Sequence, residues 1–186
     1  VGCGVATKLS RHLVPACGSG ADVVGVDQKS ALGVARRRGV GCVLREIDLE
    51  QSELDLGRTF DLIVCADVIE HLIDPDPMLR FIRFHMNAGS MLIISTPERD
   101  RERGRECRAS FKPEHVREWS RAEFAAFMRS RGFVIERSRL LPKDERPIES
   151  CRADEARFRL READRSPLCC QALLCRGGVC MMREAA

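Results

Sequence analysis

The sequence predicts an α/β fold, and three observations carry that expectation. Short apolar runs alternate with helix-like stretches along most of the chain, as they do when strands and helices take turns. A glycine bend, Gly2-Cys3-Gly4, opens the chain, and an acidic residue, Asp27, ends the apolar run VVGVD that follows it. A further apolar run, FDLIVC, gives way at once to the polar cluster Ala66, Asp67, Glu70 and His71. The carboxyl ends of strands are where open α/β sheets bind ligands.

Each element has its own signal. Residues 21–26 (ADVVGV) read as a buried strand, and 30–38 as a helix with Ser30 as its N-cap and Gly39 as its stop. Residues 43–45 form a short strand and 60–65 the next clear one. Asp76 and Pro77 supply an N-cap and a first-turn proline for a helix that presents Met78, Phe81, Ile82 and Met86 on one face and stops near Gly89. Residues 91–95 (MLIIS) are a strand closed by Pro97. Residues 98–117 are charged and without period, which reads as a long loop, a length that often marks a lid. Ser120-Arg-Ala-Glu123 is a capping-box pattern that starts a helix with Phe124, Phe127 and Met128 facing inward, ended by Gly132. Residues 133–139 alternate as a strand, 143–165 are charged and weakly patterned, and 168–175 form a last strand before a frayed tail.

Bulk properties narrow the function classes. The 186 residues suit one domain, expected over 1–176 with 177–186 as a C-terminal tail. Apolar residues make up 44% and charged residues 32%, enough for both a core and a solvated surface. The net charge of +3 is spread among acidic neighbours and does not by itself imply nucleic acid. No basic stripe with aromatic platforms is present, so a nucleic-acid partner is not expected. No apolar run is long enough for a bilayer, and no signal peptide is visible. Membrane insertion is therefore not expected, and a reduced, cytoplasmic setting is. The ten cysteines are irregularly spaced and mostly sit in apolar runs, where a free thiol packs as a small hydrophobe. They lack the paired spacing that zinc requires, and metal binding by cysteine is discounted.

The glycine bend lets backbone approach a ligand where a Cβ would interfere, and the helix start behind it offers free N–H groups. Asp27 stands where a carboxylate can accept both hydroxyls of a ribose, although a strand-end aspartate can also cap the next helix. Asp48, within Glu46-Ile-Asp-Leu-Glu50, can accept from an adenine amino group or belong to a solvated acidic loop.

VGCGVATKL, VVGVD, FDLIVCADVIEHL and MLIISTPER, in this order and spacing, resemble the class I methyltransferases that use S-adenosylmethionine (SAM). More narrowly, they are similar to the branch of ubiquinone-type O-methyltransferases and bacterial small-molecule methyltransferases. The resemblance implies a Rossmann-like, three-layer αβα fold whose mostly parallel sheet holds one antiparallel strand, here 168–175. It implies that Gly2, Cys3 and Gly4 line the methionine part of SAM, that Asp27 binds the ribose, and that Gln28 lies beside the adenine. It places Asp48 at the adenine amino group, Ala66 and Asp67 over the cofactor, and His71 on the substrate side. It also implies a first strand before the glycine bend, of which this chain holds only Val1, so the chain is expected to be part of a longer protein.

The reaction implied is in-line attack by a small-molecule nucleophile, a hydroxyl by preference, on the methyl of SAM. His71 is the expected general base. Asp67, Glu70 and His71 are chemically adequate ligands for a divalent metal, but Glu70 and His71 are adjacent and diverge on a helix, so no metal is assigned. His115-Val-Arg-Glu-Trp119 reads either as a helix lead-in that packs Val116 and Trp119 on the core or as part of a substrate lid. Two rival readings stand beside this one. A glycine bend with a strand-end acid also suits an NAD(P)-dependent oxidoreductase, although the absence of tyrosine excludes tyrosine-lysine catalysis. A catalytically inactive methyltransferase-like scaffold would keep the fold alone. The acceptor and the oligomeric state are not encoded in any motif.

Overall fold

A computed structural model describes residues 1–7, 9–18, 22–51, 54–106, 109–142, 147, 149–152 and 168–177. The chain forms two compact units, Val1–Thr59 with Asp74–His85, and Phe60–Ile73 with Met86–Ala186. Most of 143–165 and the expected tail after Gly177 lie outside the described residues.

In the first unit, a π-helical turn, Leu9–Leu13, and helix α1, Val14–Cys17, follow the glycine bend. Strand β1 is Val24–Asp27, helix α2 is Lys29–Arg37 and strand β2 is Val43–Glu46. The two strands run parallel, with Val24 opposite Val43 and Asp27 opposite Glu46. A right-handed crossover through a helix is the usual way to connect such a pair. The Cys3 N–H donates to Val26 O at 3.1 Å, so the bend lies against β1. Ala6, Leu9 and Ala35 are buried together, with Cys3, Leu13 and Leu44 packed on them. Gly25 suits this close packing: a Cβ there would stand 2.9 Å from Leu44 Cδ2, 3.0 Å from Leu9 Cδ2 and 3.1 Å from Cys3 Sγ, and these side chains would have to shift. Helix α3, Asp76–Phe84, buries Met78, Phe81 and Ile82 as expected, and Leu79 as well.

The second unit holds a four-stranded sheet in the order β3-β4-β6-β5. Its strands are β3 (Leu62–Ala66), β4 (Met91–Pro97), β5 (Phe133–Leu141) and β6 (Cys170–Gly177). β3 and β4 are parallel, whereas β6 runs antiparallel to both β4 and β5. This is the expected mostly parallel arrangement with a single antiparallel strand near the C-terminus. β5 shifts register between Ile135 and Arg137, leaving Glu136 as an irregularity at the sheet edge. Helix α5, Arg121–Ser130, begins with the capping box read from the sequence: the Ser120 side chain accepts from Glu123 N–H and Glu123 accepts from Ser120 N–H. Phe124 and Met128 are fully buried on it.

Several boundaries differ from expectation, each for a local reason. Ser30 is not the N-cap of α2; the helix starts at Lys29, and Gln28 occupies the cap position without a side-chain bond. The Gln28 N–H donates to Asp27 Oδ1, so the strand-end carboxylate bonds the residue that precedes α2. Asp76 is the first residue of α3 rather than its cap, and Asp74 Oδ1 accepts its N–H at 3.0 Å. Residues 98–117 are not a structureless loop: helix α4, Arg99–Arg103, opens them. Glu98, only 4% exposed, caps α4 through Oε2 to Arg101 N–H and takes Arg121 N–H at the start of α5 through Oε1. Apolar periodicity missed this order because buried carboxylates create it. Trp119 is buried as expected, but Val116 is half exposed and does not join the core. Every described cysteine is a free thiol.

Two outcomes test this account. Gly25→Val should lower stability by about 1–3 kcal/mol through overpacking, read as the denaturant midpoint. Ser120→Ala should cost about 1 kcal/mol through loss of the cap, with the β-sheet circular dichroism unchanged.

Candidate functional site

Each unit brings together one part of the expected site. In the first, the chain bends through left-handed backbone at Gly2 (φ 63°), Gly4 (φ 55°) and Ala6 (φ 60°). Glycine adopts that conformation without the penalty that Ala6 carries. The bend is clamped to the end of β1 by a single side chain. Gly4 N–H donates to Asp27 Oδ2 at 2.6 Å, and Gln28 N–H donates to Asp27 Oδ1 at 2.7 Å. A carboxylate offers about four acceptor positions, and among the described residues two are engaged. Cys3 lies half-buried under the bend, and burial, with the Asp27 charge second, pushes its thiol up to about 11. It is packing rather than a nucleophile.

Asp48 sits between the buried Ile47 and Leu49 and is exposed. Its Oδ1 accepts from Glu50 N–H at 3.0 Å, which closes the turn that follows β2. The backbone continues the strand ladder through Ile47 N–H to Asp27 O. Asp48 and Asp27 therefore leave adjacent parallel strands at their carboxyl ends.

In the second unit, β3 ends at Ala66 and the chain turns through Asp67 with φ 55°. A non-glycine residue held there stores roughly 1–3 kcal/mol, a strain that clusters at functional positions. Asp67 N–H donates to Ser95 O, and Ser95 Oγ donates to Asp67 Oδ1 at 3.3 Å. The next residues form a 3-10 turn, Ile69–His71, which buries Ile69 and Glu70 and exposes His71. Glu70 is 1% exposed; Thr96 Oγ1 donates to its Oε2 at 3.0 Å, and burial raises its carboxyl above the usual range. Cys65 beneath it is raised to about 12 by burial and by the neighbouring acids.

The structure adds residues around His71. Val116 and Arg117 N–H groups donate to Glu70 O, which seats the 115–119 segment against the 3-10 turn. His71 Nδ1 meets Glu114 O at 3.0 Å. A carbonyl only accepts, so Nδ1 carries the proton and Nε2 is the lone-pair nitrogen of the neutral ring. The His115 ring lies edge-on at 4.8 Å. His115 is itself fixed by Glu118 Oε1 at 2.6 Å from Nδ1; the same oxygen accepts from Ser110 Oγ at 2.8 Å, while Oε2 is ion-paired with Arg103 Nε at 2.8 Å without a hydrogen bond. Burial opposes ionisation of Glu118, but the His115 and Ser110 hydrogen bonds and the Arg103 charge outweigh it and hold the carboxyl below its usual range. The segment was legible as a substrate-side candidate through its histidine; Glu118 and Arg103 carried no spacing signal.

Glu70, His71 and His115 bring potential ligand atoms within 4.8 Å of one another. That set excludes Asp67, so it differs from the one the spacing suggested. The donor types suit a divalent cation, but Lys112 Nζ lies 3.4 Å from His115 Nε2, and its charge opposes a second cation there. His85, by contrast, is structural: it is buried, with Nδ1 on Phe81 O and Nε2 accepting from Leu56 N–H.

The raised Glu70 carboxyl has a measurable consequence. A folded-state value above the unfolded one means that ionisation works against folding as pH rises through the carboxylate range. Glu70→Gln, which keeps an acceptor for Thr96, should therefore gain stability relative to the unsubstituted protein as pH rises from 4 toward 7 (about the span of ordinary carboxyl titration). Thermal midpoints across that range check the sign.

Comparison with known proteins agrees with this arrangement. A family described as "Methyltransferase domain" matches residues 1–138. A ubiquinone biosynthesis O-methyltransferase of Pseudomonas aeruginosa (strain UCBPP-PA14) is 33% identical over 86 residues, covering 44% of this chain and 37% of the relative. The chain thus spans under half the length of that curated relative. A SAM-dependent methyltransferase of Clostridium acetobutylicum superposes with a TM-score of 0.65 at 14% identity, covering 95% of this chain and 82% of the other. Magnesium protoporphyrin IX methyltransferase of Synechocystis PCC 6803, solved with bound SAH, gives a TM-score of 0.58 at 19% identity, covering 95% and 72%. At such identities the structural likeness speaks for the fold. The matched family favours methyltransferase over nicotinamide oxidoreductase, and the chain belongs to the methyltransferase domain family.

Proposed function

We propose that the chain is the catalytic domain, over 1–176, of an enzyme that moves a methyl group from SAM to a hydroxyl of a small molecule. The observation that carries this reading is the Asp27 carboxylate, which is held beside the glycine bend by Gly4 and Gln28 N–H groups. Its oxygens suit the paired hydroxyls of a ribose. Gly2, Cys3 and Gly4 would line the methionine portion, where left-handed backbone leaves no Cβ at two of three positions. Gln28 would lie beside the adenine and Asp48 would accept its amino group. Ala66 and Asp67 would cover the cofactor from the end of β3. SAM brings a methyl group already activated on a sulfonium, so the protein's task is alignment and water exclusion.

The oxygen acceptor is supported by the His71 ring. With Nδ1 donating to Glu114 O, Nε2 is poised to take a hydroxyl proton. The relative's name, ubiquinone biosynthesis O-methyltransferase, points to the same class of nucleophile. A small-molecule acceptor rather than nucleic acid or lipid bilayer is our reading, and among the described residues no helix is long and apolar enough to cross a membrane. We place the reaction in the cytoplasm.

Asp27→Ala should weaken SAM binding by at least about tenfold, or ~1.4 kcal/mol, in calorimetric titration of folded protein; unchanged affinity overturns the cofactor assignment. His71→Ala should lower the rate of methyl transfer by about 10²–10⁴-fold while leaving the SAM affinity intact. Equal losses in both quantities would remove His71 from the proton-transfer role.

A further inference from the structure

A second feature of the larger unit lies outside the cofactor residues. A cavity of about 580 Å³ is lined by Arg99, Arg103, Arg105, Arg117, His115 and Glu118, among others. Pockets for small ligands fall in the range of roughly 300–1,000 Å³. Among the described residues, four arginines and one carboxylate line it. That carboxylate is engaged: Glu118 Oε1 accepts from His115 and Ser110, and Oε2 is paired by charge with Arg103. Arg103 and Glu118 are 3% and 2% exposed at their side chains and neutralise each other in the wall. Arg99 is held by Asp100 and Glu123. Two cations remain. Arg105 is 86% exposed and reaches Asp100 only at 3.7 Å. Among the described residues Arg117 forms no ion pair; its guanidinium lies 5.9 Å from the Trp119 ring.

A guanidinium presents five N–H donors in a fork that matches carboxylate and phosphate oxygens. The cavity therefore combines a fixed neutral pair with two under-used forks. Its wall includes His115, whose ring meets the His71 ring at 4.8 Å. We propose that this cavity binds the carboxylate or phosphate group of an anionic methyl acceptor, with Arg105 and Arg117 as the recognising residues. An anion held there would present the rest of the acceptor to the His71 side, so the proposal deepens the hydroxyl-methylation reading and rests on it.

The test compares two catechols that differ by one charge, 3,4-dihydroxybenzoate and catechol itself, in binding titrations without SAM. The acid should bind about tenfold more tightly, the value of one or two charge-assisted hydrogen bonds. Arg105→Gln and Arg117→Gln should each shrink that preference, and together abolish it, with catechol affinity unchanged. Arg105 is 86% exposed, so its replacement leaves the packing intact, and circular dichroism reports the fold of the Arg117 variant. Equal binding of the two catechols, or a preference that survives both substitutions, overturns the inference. Inorganic phosphate that displaces the acid supports a shared anion site, whereas phosphate that binds without displacing it overturns the acceptor assignment. In a parallel assay with SAM added, acid binding without methylation would overturn the proposed function alone, and methylation of catechol without charge preference would overturn this inference alone.

Discussion

The Asp27 carboxylate is the contact on which the first unit depends. Its two oxygens take backbone N–H groups from residues 23 positions apart and one apart, Gly4 and Gln28. The first bond holds the left-handed bend against β1, and the second fixes the residue that precedes α2. A bend of two glycines and a left-handed Ala6 has wide freedom in the unfolded chain, and fixing it costs entropy. Charge-assisted hydrogen bonds to backbone N–H are among the stronger ones available, so one side chain can offset much of that cost. Gly25 completes the constraint: its missing side chain lets Leu9, Leu44 and Cys3 close on β1 from one side.

The second unit uses acids in the same way where apolar packing is thin. Glu98 caps α4 with one oxygen and reaches the start of α5 with the other. Glu118 gathers His115, Ser110 and Arg103. Gln171 on β6 donates to Trp119 O and Pro97 O, tying the same segment to the sheet. A buried carboxylate needs hydrogen bonds or a partner charge: Glu98 has two backbone N–H donors, and Glu118 has hydrogen bonds and the Arg103 charge. The outcome is a charged segment that is ordered without a hydrophobic stripe, and that carries a histidine to the side of His71.

These two arrangements suit a reaction whose difficulty lies in alignment. An activated methyl needs an oriented acceptor and a proton sink more than it needs a strong nucleophile on the protein. The cysteines agree with that division of labour. Burial raises Cys3 to about 11 and both Cys65 and Cys175 to about 12, so none is a thiolate near neutral pH.

Sequence alone determined the strand-helix alternation, the antiparallel last strand through the family resemblance, the capping box at Ser120, and the residues Gly2, Gly4, Asp27 and His71. Those signals are local: a period, a cap, or a motif within one stretch of chain. The tertiary structure decided that α2 starts at Lys29 with no side-chain cap, that 98–117 holds a helix, and that His115, Glu118 and a set of arginines gather beside His71. Polar networks of this kind join residues by charge and hydrogen-bond geometry, which leave no periodic trace in the order of amino acids. Only folding brings their atoms within reach and settles which acid serves which donor.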